Sequence, residues 1–138
     1  MSQKTPTLSE LEVGSELPEL PIEITTSLVV GGAIASRDFT PVHHDREAAK
    51  AAGMSDVFMN ILTTNGLVSR YITDWAGPDA LIRNVSIRLG TPNTPGETMT
   101  LRGKVVELSE QDATVEVAGA NSWGDHVTGT VRVALPVS

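Results

Sequence analysis

Ser55-Asp56-Val57-Phe58-Met59-Asn60-Ile61-Leu62-Thr63-Thr64-Asn65-Gly66-Leu67-Val68-Ser69-Arg70-Tyr71-Ile72-Thr73-Asp74-Trp75-Ala76-Gly77-Pro78 is the longest periodic stretch of the chain. Val57, Phe58, Ile61, Leu62, Val68, Tyr71, Ile72 and Trp75 fall largely on one face at helical spacing, which predicts a long amphipathic helix. Ser55-Asp56 reads as its N-cap signal and Gly77-Pro78 as its stop. At 1.5 Å per residue such a helix runs about 28 Å. An apolar stripe that broad needs a sheet to lie against.

The sequence beyond Pro78 supplies one. Residues 80–89, 98–108, 113–120 and 126–135 alternate in polarity or run β-branched, and turn-forming stretches separate them, among them Thr91-Pro92-Asn93-Thr94-Pro95-Gly96. Four consecutive strands predict an antiparallel meander. Upstream, Ile22 to Val30 reads as a fifth strand, released by Gly31-Gly32, and Ala33 to Ser36 as a short helical turn. Residues 1–20, broken by Pro6, Gly14 and Pro18, read as a loose lead-in, leaving 21–138 as one domain. The expectation is an α+β fold, a five-stranded antiparallel sheet wrapped around one long helix, an order that resembles the hotdog fold.

Between the first strand and the long helix lies Arg37-Asp38-Phe39-Thr40-Pro41-Val42-His43-His44-Asp45. Pro41 lacks an N–H and pushes Thr40 towards extended geometry, so Asp38 and His43 sit on a bent connection and not on one helical face. Asp45 then reads as the N-cap of a small alanine-rich helix that Gly53 stops. A carboxylate and an imidazole held around one water can activate it for addition to an alkene conjugated with a carbonyl. Spacing alone fits equally an Asp38 that caps a turn and a satisfied, half-buried His43.

The chain has 138 residues, 40% of them hydrophobic, enough for one domain with a core. It has no Cys, and therefore no disulfide framework, thiol nucleophile or thiolate metal site. With three histidines, two of them adjacent, no metal or other cofactor is expected. A formal charge of -7 argues against nucleic-acid binding, which needs a basic surface, while leaving room for an anionic small ligand. No apolar run approaches a membrane span and no basic-then-apolar leader opens the chain, so the expected address is the cytoplasm.

The segment Asp38-Phe39-Thr40-Pro41-Val42-His43-His44-Asp45, with Ala49 and Gly53 beyond it, resembles the hydratase signature of MaoC-like hotdog enzymes, the R-specific enoyl-CoA hydratases. Two positions depart from that signature. Arg37 stands where the family usually has glycine and Thr40 where it has asparagine. Early in the long helix Met59-Asn60 replaces a frequent His-Gly. A narrower set, including Arg70-Tyr71-Ile72-Thr73-Asp74-Trp75-Ala76-Gly77-Pro78 and Gly124-Asp125-His126-Val127-Thr128, is similar to the small (alpha) MaoC-like subunit of actinobacterial steroid side-chain enoyl-CoA hydratases.

That resemblance implies hydration of an unsaturated steroid carboxyl-CoA of the 3-oxo-4,17-pregnadiene-20-carboxyl-CoA type. It implies Asp38 and His43 as the catalytic pair, the Asn60 backbone N–H as an oxyanion donor and Thr40 as a replacement donor at the substrate. It also implies a larger MaoC-like partner lacking the pair, in an α2β2 assembly. An acyl-CoA with a four-ring acyl group needs a deep apolar tunnel, which a domain this small makes only between subunits. His44 is expected at the solvent or the turn, His126 in a structural place, and Arg70, Arg83 and Arg88 at CoA phosphates or simply solvated. Phe58, Tyr71 and Trp75 read as core or subunit contact. Three other functions stay open: a homodimeric hydratase of ordinary enoyl-CoA, a hotdog thioesterase and a noncatalytic acyl-CoA-binding subunit.

Overall fold

The computed structural model describes residues 4–138. A 3-10 turn at Leu8–Glu10 is followed by β1 (Glu16–Glu23), α1 (Thr26–Ala35), a second 3-10 turn at Pro41–His43, α2 (Arg46–Ala51) and α3 (Ile61–Ala76). The remaining strands are β2 (Leu81–Leu89), β3 (Thr98–Leu108), β4 (Asp112–Asn121) and β5 (Gly124–Ala134). They form one antiparallel sheet in the order β1-β3-β4-β5-β2.

The C-terminal half of the expected apolar stripe forms the core with that sheet, whereas Ile61 and Leu62 in its first half are about half exposed. Val68, Tyr71, Ile72 and Ala76 of α3 are buried together with Met99, Leu101 and Val105 of β3, Val115 and Val117 of β4, and Val131 and Val133 of β5. Alternate strand residues point inward, as a sheet with one covered face requires. Each fully buried aliphatic side chain contributes about 2 kcal/mol. A long helix against one antiparallel sheet is the hotdog arrangement that the sequence led us to expect.

Four expectations are corrected. The strand looked for at Ile22 to Val30 lies at Glu16–Glu23, and residues 26–35 are helical. Thr25 caps that helix by accepting the Leu28 N–H at 3.0 Å, and Val29 and Ala33, one turn apart, are fully buried, so packing overrides the β-branched composition. β1 thus starts inside the stretch read as a loose lead-in, whose first three residues lie outside the described ones. It carries Pro18 and Pro21 as an edge strand, where a missing N–H is tolerated.

The long helix, third, begins at Ile61 and not near Val57, which shortens it to 16 residues, about 24 Å. Ser55 and Asp56 do not cap it. Backbone N–H groups before it are used elsewhere, Phe58 reaching Val42 O at 3.4 Å and Met59 reaching Asn93 O at 3.0 Å. Fourth, the meander holds only for β3, β4 and β5. The connection through Pro92 and Pro95 is too long for a hairpin and carries the chain from β2, paired with β5, to β3 on the far side. No helix among the described residues is long and apolar enough to cross a membrane.

Candidate active site

Asp38 owes its position to the way α1 stops. The Arg37 N–H donates to Ile34 O at 3.0 Å and the Asp38 N–H to Ala33 O at 2.8 Å, a paired closure that needs one left-handed residue. Arg37 supplies it at φ 58°, where glycine is the usual occupant. The chain reverses there, and the Asp38 carboxylate is delivered beside the start of α3.

His43 arrives from the other side. Pro41 opens a 3-10 turn, the His43 N–H donates to Thr40 O at 3.1 Å, and Asp45 then caps α2 by accepting the Glu47 N–H at 3.0 Å. Its ring stands edge-on to Phe58, with centroids 5.0 Å apart, and is buried. Nδ1 lies 2.7 Å from the Phe58 carbonyl, which only accepts, so Nδ1 carries a proton and Nε2 faces outward. That Nε2 is 3.3 Å from Asp38 Oδ2.

Asp38 is held by more than the imidazole. The Thr40 hydroxyl donates to Oδ1 at 2.7 Å and the Thr40 N–H at 3.2 Å, while Asn60 Nδ2 donates to Oδ2 at 3.0 Å. The Thr40 hydroxyl first, then the Asn60 amide and the Thr40 N–H, bring the Asp38 carboxyl down from 3.8 to about 2. Its side chain is 24% exposed against 10% for His43, so the pair opens to a surface and is not sealed in the core.

Asn60 is the hub. Its Oδ1 caps α3, accepting the Thr63 N–H at 3.0 Å and the Thr63 hydroxyl at 2.6 Å. Its two amide protons go to Asp38 Oδ2 and to Ser36 Oγ, each at 3.0 Å. Asp38 accepts only, so this amide has one possible orientation. The Asn60 backbone N–H makes no hydrogen bond among the described residues. Ser36 in turn donates to Gly32 O at 2.7 Å, which ties the hub to α1.

The structure therefore brings Asp38, His43, Asn60 and Thr40 together. Thr40 turns its hydroxyl onto Asp38, and Asn60 adds a side-chain grip to the backbone role that the resemblance implied. Ser36, the Phe58 carbonyl and Thr63 were not singled out from sequence. Ser36, two residues before Asp38 at a helix end, was the one signal available. The other polar candidates lie apart. His44 Nε2 is 3.2 Å from Phe39 O in an exposed place, and buried His126 meets Thr64 and Thr91. Arg70 pairs with Asp74 at 3.4 Å and Arg83 with Asp112 at 2.8 Å, while Arg88 is exposed on β2. Tyr71 is buried with its hydroxyl on Pro18 O at 2.7 Å, and Trp75 packs at the core margin.

Comparison with known proteins places these residues in a family context. A model described as MaoC like domain matches residues 12–125. The 3-oxo-4,17-pregnadiene-20-carboxyl-CoA hydratase beta subunit of Mycobacterium tuberculosis (strain ATCC 25618 / H37Rv) is 49% identical over 123 residues, 89% of this chain and 95% of that protein. Its name makes it a beta subunit, where the sequence resemblance pointed to an alpha subunit. A chain in the crystal structure of the ChsH1-ChsH2 complex from Mycobacterium tuberculosis is similar with a TM-score of 0.88 and 48% identity, covering 90% of this chain and 98% of that one. The (R)-hydratase from A. caviae involved in PHA biosynthesis is similar with a TM-score of 0.83 and 25% identity, covering 91% and 98%.

Proposed function

Since the chain belongs to the MaoC-like domain family, we propose that it is an enoyl-CoA hydratase subunit adding water to the α,β-double bond of a steroid side-chain acyl-CoA. The substrate is of the 3-oxo-4,17-pregnadiene-20-carboxyl-CoA type, the class that the M. tuberculosis relative is named for. The observation that carries the reading is the 3.3 Å approach of His43 Nε2 to Asp38 Oδ2.

In this proposal one water donates both its protons to the pair, leaving a lone pair aimed at the β-carbon. As the new carbon–oxygen bond forms, one water proton passes to the pair and the π electrons shift onto the thioester oxygen. The enolate then recovers a proton at its α-carbon from the pair, which is restored. The product has gained one H and one OH across the former alkene. Enolate charge is met at the start of α3, where first-turn N–H groups lack helical partners and the dipole is positive. The unpaired Asn60 N–H is the donor we assign, with Thr40 and the Asn60 amide fixing Asp38.

A partner subunit completes the site. Ile34, Phe39, Ile61 and Leu62, in the segments flanking Asp38 and Asn60, are each about half exposed or more, from 49% to 66%. An apolar collar around a proton-handling pair suits a covering surface that also lines an acyl tunnel. β2 forms an open edge without proline, with Leu81 60% exposed, so a second sheet can extend this one there. We assign the partner as a larger MaoC-like chain lacking the pair, in an α2β2 cytoplasmic assembly. The crystal structure similar to this chain is itself of a two-component complex.

Co-expression with candidate MaoC-like partners, followed by mass spectrometry of the acyl-CoA pool, tests this. The expected result is a gain of one water on the steroid acyl-CoA, confined to the complex. Turnover of short crotonyl-type substrates by the chain alone would favour a homodimeric hydratase instead. Release of free CoA without hydroxyacyl product would favour a thioesterase.

A further inference from the structure

We propose that His126 is a positioning residue for the hydration site: a neutral imidazole that braces the first turn of α3 and so keeps Asn60 aligned with Asp38. The proposal rests on the hydratase reading above for its effect on turnover, and on geometry alone for the brace.

His126 is 1% exposed, although it is polar and the hydration pair does not use it. A break in strand register puts it there. Gly119 pairs with Val127 and Ala120 with Asp125, so His126 is the extra residue between them. Such bulges re-aim a side chain, and here two successive residues, His126 and Val127, are both buried.

Its two ring nitrogens are both engaged. Nδ1 is 2.6 Å from the Thr91 carbonyl, which only accepts, so Nδ1 carries the proton. Nε2 then accepts from the Thr64 hydroxyl at 2.8 Å. Thr64 belongs to the first turn of α3, and its N–H donates to Asn60 O at 3.2 Å. From Thr64 the link runs to Asn60, and from Asn60 Nδ2 to Asp38.

A second route reaches the same place. The Thr91 carbonyl that His126 grips lies two residues before Asn93, whose carbonyl accepts the Met59 N–H at 3.0 Å. Asn93 is itself fully buried and held by Asn121 at 2.9 Å. Met59 immediately precedes Asn60. One imidazole therefore braces both the irregular segment entering α3 and the first helical turn. Burial holds the His126 pKa below its ordinary value, which favours the uncharged form this pairing needs.

The test uses the complex with its partner subunit. Thr64→Val keeps the shape and removes the hydroxyl, whereas Thr64→Ser keeps the hydroxyl. We expect Thr64→Val to lower kcat about tenfold with KM little changed, because small misplacements of reacting groups cost up to about a hundredfold. Thr64→Ser should restore most of the loss. His126→Asn, which retains a donor for Thr91 but not the Nε2 acceptor, should match Thr64→Val, and the double variant should add little, since both cut one link. A readout free of turnover comes from 15N-labelled histidines, of which the chain has three. Thr64→Val should shift the His43 signals. Native kcat and native His43 signals in Thr64→Val, or equal losses in Thr64→Val and Thr64→Ser, would overturn the proposal. Should the unaltered complex hydrate no enoyl-CoA, the hydratase reading fails, and the His43 signals alone decide the brace.

Discussion

His43 Nε2 and Asp38 Oδ2 stand 3.3 Å apart, while the Nδ1 proton of His43 is spent on the Phe58 carbonyl at 2.7 Å. When the imidazole is neutral, both facing atoms are acceptors and cannot bond to each other, and although Oδ2 already takes the Asn60 amide, a molecule that brings two protons can bridge them. Water is the smallest molecule with two. In the reading proposed above that molecule is the water to be added, and a left-handed helix stop, a proline-led turn and a helix cap bring the two acceptors together.

The hydrogen bonds that hold Asp38 are themselves open to test. Thr40→Val removes the hydroxyl that contributes most to the lowered carboxyl, and should move its pKa from about 2 back towards 3.8, read by carbon NMR of the side chain. The folded value lies below the unfolded one, so these bonds stabilise the fold above about pH 4 and lose that contribution as pH falls towards 2. The stability gap between native and Thr40→Val protein should be open at about pH 6 and close on acidification. A gap constant across that range contradicts the account.

Arg37 is a residue in a glycine position. At φ 58° a side chain carries a steric cost that glycine lacks, partly offset by the chain entropy glycine gives up. Arg37→Gly should stabilise the protein by about 0.5–1 kcal/mol, a rise of about 3 °C in Tm, at little cost to turnover. A lower Tm in thermal melts would show that the Arg37 side chain stabilises in some other way.

Gly32 sets how closely α1 approaches α3. A Cβ there would overlap Thr63 Oγ1 and come within 2.8 Å of Thr63 Cγ2, and the Thr63 hydroxyl is bonded to Asn60. Gly32→Ala improves helix propensity by about 1 kcal/mol and should still harm the enzyme, lowering kcat about tenfold as Ser36 and Asp38 are pushed from Asn60. Unchanged kcat in steady-state assays would mean that the helices adjust without disturbing the site.

The sheet was legible because β3 and β4 alternate, β2 and β5 are rich in β-branched residues, and the turns between strands are rich in Gly, Pro, Ser and Asp. The strand at Glu16–Glu23 was not, because two prolines disguise an edge strand as coil. Nor was α1, where Thr25, Thr26, Val29 and Val30 favour a strand and the helix rests on the Thr25 cap together with burial of Val29 and Ala33. The proline between Asp38 and His43 showed that they share a bend, yet their convergence depends on the Arg37 reversal and on Phe58, neither of which follows from spacing. Asn60 was marked for its backbone. That its side chain caps α3 and grips Asp38 at once is a tertiary fact, since Ser36 and Asp38 lie more than twenty residues upstream.

The most direct measurement is the single-turnover hydration rate of the complex carrying Asp38→Asn or His43→Gln, taken beside thermal unfolding of the same preparations. Losses of about a hundredfold to ten-thousandfold in rate, with Tm within a few degrees of native, are what the paired-acceptor site predicts. A variant that keeps native-like hydration would contradict it, and place the chemistry elsewhere in the complex.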